Sequence, residues 1–113
     1  MALAAFWALL LSGCSKPPPL AVGLPHSFGP TPDFDRRVRQ LYPIGSEEPK
    51  LLAELRRERF TIAEIHEQSG PKRRSAVYDL HDFPCRETWT VQWTYDHGVI
   101  DHIEGRDSGD LCL

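Results

Sequence analysis

The clearest alternation of apolar and polar positions lies in the last third of the chain. Trp89, Val91, Trp93 and Tyr95 interleave with Thr88, Thr90, Gln92 and Thr94. A strict period of two puts the first set on one face of a β-strand and the second on the other, so one face should pack on a core and the other should meet water. Asp96, His97 and Gly98 supply turn chemistry, and Val99 to Ile103 should return as an antiparallel partner. Upstream, Ala76, Tyr78 and Leu80 alternate with Val77 and Asp79 as an earlier strand, and Phe60 to Ile65 reads as another. Between them the polar stretch Glu67 to Ser75, with Gly70, Pro71 and the basic run Lys72, Arg73 and Arg74, predicts a loop or hairpin tip.

Before Phe60 the period is helical. Phe34, Val38 and Leu41 fall at i, i+4 and i+7, with Asp35, Arg36, Arg37 and Arg39 on the other faces and Asp33 as a cap. Tyr42 to Gly45 break this helix. Ser46 reads as the N-cap of a second one, in which Glu47 and Glu48 favour the positive end of the dipole and Pro49 takes a first-turn position. Leu51, Leu52 and Leu55 form its apolar face. The expected fold is α+β: two N-terminal helices packed on an antiparallel meander sheet of three to four strands. The stretch 15–32 holds six of the chain's prolines together with Gly23 and Gly29, and should be extended or disordered. In a polyproline conformation it would reach roughly 55 Å.

The apolar run Ala2 to Leu11 is followed by Ser12, Gly13 and Cys14. This Leu11–Cys14 stretch resembles the lipobox of bacterial lipoproteins. The resemblance implies that residues 1–13 are a signal peptide removed on maturation, that Cys14 carries a diacylglycerol, and that 14–32 is a lipidated tether before a domain at 33–113. Ser15, in place of an aspartate, implies outer-membrane delivery, with the domain facing the periplasm. Met1 to Trp7 contain no Lys or Arg, so the terminal amine is the only positive charge there. An ordinary secretory signal with a free Cys14 is the alternative. A membrane span requires about 20 apolar residues, more than this run provides.

With Cys14 given to lipid, Cys85 and Cys112 remain, an even pair in a disulfide-permissive compartment. Pairing is expected, with two free thiols as the alternative. A hairpin centred near His97 places Cys85 opposite about residue 109, close enough for an irregular end to bring Cys112 to it. The net charge of −3 lacks the basic surplus expected of a nucleic-acid binder.

Candidate chemistry is sparse. His81 and Asp82 follow a strand without the further ligands that a metal phosphohydrolase needs. Asp101 and His102 should point to opposite strand faces, and His97 belongs to a turn. No three ligands converge, and neither a metal nor another cofactor is expected. Neither a Gly-x-Ser-x-Gly elbow nor a phosphate-cradling glycine loop occurs. Trp89, Trp93 and Tyr95 are candidate partner contacts if exposed, core if not. Lys72, Arg73 and Arg74 form a second candidate contact.

The order of elements after the lipobox resembles the small outer-membrane lipoproteins of the BamE or SmpA type, including the Gly45–Ser46 junction before the second helix. That resemblance implies an accessory scaffold, held to the membrane by lipid, that binds another envelope protein without catalysis. An inhibitor or immunity-type lipoprotein acting on a hydrolase through the Glu67–Ser75 loop is the alternative. A small envelope enzyme using His81, Asp82, His97 and His102 is the least favoured.

Overall fold

The computed structural model describes residues 16–25, 29, 31–65, 70 and 72–113. A short 3₁₀ turn, Pro19–Ala21, precedes two helices, α1 (Asp33–Leu41) and α2 (Glu48–Arg57). Five strands follow: β1 (Thr61–Ile65), β2 (Lys72–Asp82), β3 (Cys85–Asp96), β4 (Val99–Asp107) and β5 (Leu111–Cys112). All pairings are antiparallel, in the order β1-β2-β3-β4, and β5 pairs with the start of β3. The fold is α+β, with one disulfide between Cys85 and Cys112. The sheet has one strand more than the sequence predicts. The two-residue β5 is too short to leave a periodic pattern.

The alternation of β3 holds as far as Trp93; Thr94, expected to meet water, is buried. Trp89, Val91 and Trp93 are buried with Ala76, Ile100 and Ile103 against Phe34, Val38, Leu51 and Leu55 from the helices. Thr88, Thr90 and Gln92 lie on the opposite face. Helix α1 lies close against β4 at Gly105. A Cβ there would come within 3.0 Å of both the Phe34 ring and the Val38 methyl, so the absence of a side chain sets the spacing between the layers. Leu41 departs from the predicted stripe and is exposed. The helix ends there, and Tyr42 packs against the core in its place.

Helix α2 begins at Glu48 with Glu47 as N-cap, so the predicted cap Ser46 stands one residue too early. Its hydroxyl donates to the Pro43 carbonyl instead. The helix closes with Arg59 at φ 68°, while Arg59 N–H donates to Arg56 and Phe60 N–H to Leu55. This is the Schellman arrangement, here without its usual glycine. The β3–β4 turn takes left-handed φ at both His97 (51°) and Gly98 (74°), as a type I′ hairpin requires.

The outer edge of β4 is covered along much of its length. Gly45 N–H donates to Ile100 O, Ile100 N–H to Ser46 O and Glu48 N–H to Gly98 O, and Glu47 forms an isolated bridge with Val99. Farther along, the Asp35 carboxylate accepts from Gly105 N–H at 2.9 Å. Such cover removes an edge that other chains could pair with.

Residues 16–25 are folded onto the domain, in contrast to the expected free tether. Pro18, Leu20 and Ala21 are buried. Leu20 N–H donates to Glu58 at 2.7 Å, Arg37 donates to the carbonyls of Leu20 and Val22, and the Tyr78 hydroxyl donates to Lys16 O at 3.2 Å. Proline removed amide donors from this segment as anticipated. The segment still docks, because Arg37 of α1, Glu58 at the C-cap of α2 and Tyr78 of β2 supply the partners. The folded unit therefore starts upstream of the predicted boundary at 33.

Candidate functional site

The chemically distinctive region lies where β3 starts. A tight turn at Phe83 and Pro84, whose peptide bond is cis, brings the chain from β2 into β3. Alternation then points Glu87 to the same inward face as Trp89. Asp107 sits opposite Trp89 in the ladder, so it also points inward. Past Asp107 the chain leaves β4, and Gly109 adopts φ 69°. An added Cβ there would lie 2.3 Å from the Gly29 carbonyl oxygen. This tight passage delivers Asp110 to the acids and Cys112 directly opposite Cys85. The uniform hairpin register placed a residue near 109 there. A bulge between Thr94 and Tyr95 and the break at Ser108–Asp110 account for the offset.

Glu87 and Asp107 are only 6% and 5% exposed. Burial, hydrogen bonding to Asp107 and the charges of Asp107 and Asp110 push the Glu87 carboxyl up to about 8. A protonated Glu87 can donate to Asp107, whose Oδ1 also accepts from Gly109 N–H at 2.8 Å. The docked segment roofs this acid pair. Pro17, Ala21, Gly23, Leu24 and Pro25 enclose a void of about 40 Å³ with Glu87, Trp89 and Asp107. Trp89 Nε1 is buried and has no hydrogen-bond partner among the described residues. Ser108 Oγ, next to Asp107 in the chain, accepts from Thr88 N–H and donates to Gly109 O, so it is committed to holding the chain. Chemically, the arrangement stores a proton in a closed site.

A larger cleft of about 570 Å³ lies between the start of α1 and β4, lined by Asp35, Arg39, Thr88, Thr90, Glu104 and Arg106 among others. Its charged groups are paired internally, Asp35 with Arg39 at 2.9 Å and Glu104 with Arg106 at 3.5 Å. The Thr88 hydroxyl donates to Asp79, which, with Arg86, holds the Asp79 carboxyl below the usual range.

The predicted partner contacts are dispersed. Trp89 and Trp93 are 2% and 1% exposed and belong to the core, so the stacking platform is not on the surface. Trp93 Nε1 points to Glu48 at 3.4 Å. Lys72, Arg73 and Arg74 belong to β2 and not to a loop tip. Arg74 is half-buried: its guanidinium pairs with Glu48 and with Glu64 and stacks 4.4 Å from the centroid of the Tyr95 ring. Tyr95 is thereby half-covered, whereas Lys72 remains exposed.

The described histidines form no metal-holding cluster. His81 and Asp82 are exposed at the end of β2, and His97 is exposed beside Asp96. Asp101 is the extra residue of the bulge and accepts from the Thr94 hydroxyl. The simple face alternation predicted for Asp101 and His102 therefore fails there. Among the described residues, no three His, Cys, Asp or Glu side chains could hold a metal ion. No described helix is long and apolar enough to cross a membrane. His26, His66, four residues of the Glu67–Ser75 loop (Glu67, Gln68, Ser69 and Pro71), the 1–13 segment and Cys14 lie outside the described residues.

The most exposed bulky apolar residue in a turn, Phe83, went unpredicted. It is 87% exposed, beside Leu111 at 54%. The only sequence signal was an aromatic in a turn flanked by Asp82 and Pro84. Comparison with protein-family models, with curated proteins and with solved structures finds no match.

Proposed function

We propose that this protein is a lipid-anchored, non-enzymatic component of the bacterial cell envelope, acylated at Cys14, that binds another envelope protein in an accessory or scaffold role. The Leu11–Cys14 stretch carries the reading. The Cys85–Cys112 bond supports it, because structural disulfides persist in oxidising compartments and are rare in the cytosol. With the tryptophans buried, the partner surface moves to the outer face of the sheet. Ser75, Val77, Thr90 and Gln92 present uncharged side chains there, on the face opposite Trp89, Val91 and Trp93, with Thr90 at the lip of the cleft beside α1.

Capture from detergent-solubilised envelopes tests this directly. The wild type should retain one partner reproducibly, and Thr90→Arg combined with Gln92→Arg should lose it while remaining folded. A wild type that retains no reproducible partner, or a double variant that retains the same one, would overturn the assignment.

A further inference from the structure

Among the described residues, exposed bulky apolar side chains other than Val22 fall at opposite ends of the sheet. Phe83, Leu111 and Leu113 flank the disulfide at the start of β3, while Leu41, Ile44 and Val99 lie near the β3–β4 turn. At the first end the groups are contiguous. Phe83, Pro84, Leu111 and Leu113 line one cavity around the Cys85–Cys112 bond, and Leu113 N–H donates to Pro84 O.

The docked N-terminal segment arrives at this same end. Pro17 lines a cavity with Phe83, Pro84 and Glu87, and Lys16 O is held by Tyr78. Cys14 precedes Lys16 by two residues, a span of at most about 7 Å of extended chain. The far end of β3 lies eleven residues from Cys85, or roughly 36 Å along the strand. An acyl chain on Cys14 therefore starts nearer the Phe83 end than the β3–β4 turn while residues 16–25 stay docked, and favours seating the Phe83 end at a bilayer.

We propose that Phe83, Pro84, Leu111 and Leu113 form a second membrane contact that seats this end of the domain in the bilayer interface beside the lipidated cysteine and fixes its orientation. The inference rests on the reading of Cys14 as acylated. The charged rim suits the headgroup level better than the hydrocarbon: Lys16, His81, Asp82 and Arg86 are all exposed around the apolar centre. A Phe ring and leucines over such a rim match the anatomy of interfacial contacts. Protonation of Glu87 near neutrality removes one negative charge from just behind the patch. The consequence is a domain lying against its membrane and not one hung at the end of a long tether, with the outer sheet face roughly upright to the bilayer and open to a partner.

The test uses the full-length protein purified from membranes. Intact mass first reads the adduct on Cys14. The protein is then reconstituted in vesicles of phosphatidylethanolamine and phosphatidylglycerol that contain a phospholipid with a diazirine on its acyl chain. After photolysis, reduction and digestion, labelled peptides are identified by mass. Peptides carrying Phe83 and Leu111 should be labelled several times more heavily than the peptide carrying Leu41 and Ile44. Phe83→Ser with Leu111→Ser should lose that excess while keeping the adduct and the fold. Equal labelling of the two ends, or heavier labelling of Leu41 and Ile44, on protein that carries the adduct overturns the second contact and leaves the anchor standing. Absence of the adduct overturns both.

Discussion

Glu87→Gln should remove most of the pH dependence of this protein's stability above mildly acidic pH. Glu87 is buried against Asp107 and Asp110, and its carboxyl is raised from an ordinary 4.5 to about 8, first by burial and then by those two acids. The folded state therefore holds a proton that the unfolded chain has released. The contribution is fully present below about pH 4.5 and is lost as pH rises toward 8. Three and a half pH units at about 1.4 kcal/mol each set a ceiling near 5 kcal/mol. Opening of the Pro17–Pro25 roof would let water in and lower it, so about 3 kcal/mol is the expected loss.

Glu58, raised by burial against the pull of the Leu20 N–H, contributes in the same direction. Asp79 is held low by Thr88 and Arg86, so its contribution is lost only in acid. It does not act in this window. Glutamine keeps the shape and an N–H that can donate to Asp107, without a proton to lose. Urea unfolding at about pH 5 and about pH 8 reads the effect. The wild type should lose about 3 kcal/mol between them, and Glu87→Gln less than half as much. The same loss in both proteins would refute the assignment of the proton to Glu87.

Three further outcomes follow from the packing. Arg74→Ala leaves Glu48 buried with only Trp93 Nε1 beside it, and should cost about 3–5 kcal/mol in chemical denaturation. Removing the half-exposed Glu64 should cost under about 1 kcal/mol, and pairing Arg74→Met with Glu48→Leu should restore much of the stability lost in the Arg74→Ala variant. Gly105→Ala forces a methyl to within 3.0 Å of Phe34 and Val38, a cost of about 1–3 kcal/mol, visible as a lowered Tm. Replacing both Cys85 and Cys112 by serine removes a cross-link over 27 residues, worth about 3–4 kcal/mol by chain entropy. Unfolding in reductant should reproduce that loss in the wild type and leave the double variant unchanged.

Local pattern carried part of this structure, and distance carried the rest. The period of two from Thr88 to Tyr95 was legible because burial acts on successive residues of one strand, and Trp89 and Trp93 are buried where that pattern puts them. The Cys85–Cys112 bond could be anticipated once a hairpin centre was fixed, although its register needed a bulge and a chain break that sequence does not encode visibly. Arg74 misled for a related reason. A basic triplet looks solvated, and only the meeting of α2, β1 and β2 reveals that Glu48 and Glu64 converge on its last member. The proline-rich segment misled because proline content speaks to missing donors and is silent on docking partners 15 to 62 residues away. The acid pair was invisible for the same reason: Glu87 and Asp107 meet only through the β3–β4 ladder and the turn after it. Phe83 carries no periodic signal at all, since turn residues belong to neither face of a strand.

Under the proposed function, acylation of Cys14 holds the domain at the membrane. Intact mass of the protein extracted from membranes, for the wild type and for Cys14→Ala, tests this most directly. The wild type should begin at Cys14 and exceed its peptide mass by a diacylglyceryl group, with or without a further acyl chain, and Cys14→Ala should leave the membrane fraction without that adduct. A wild type that is soluble, unmodified at Cys14 or still carrying residues 1–13 would contradict the account.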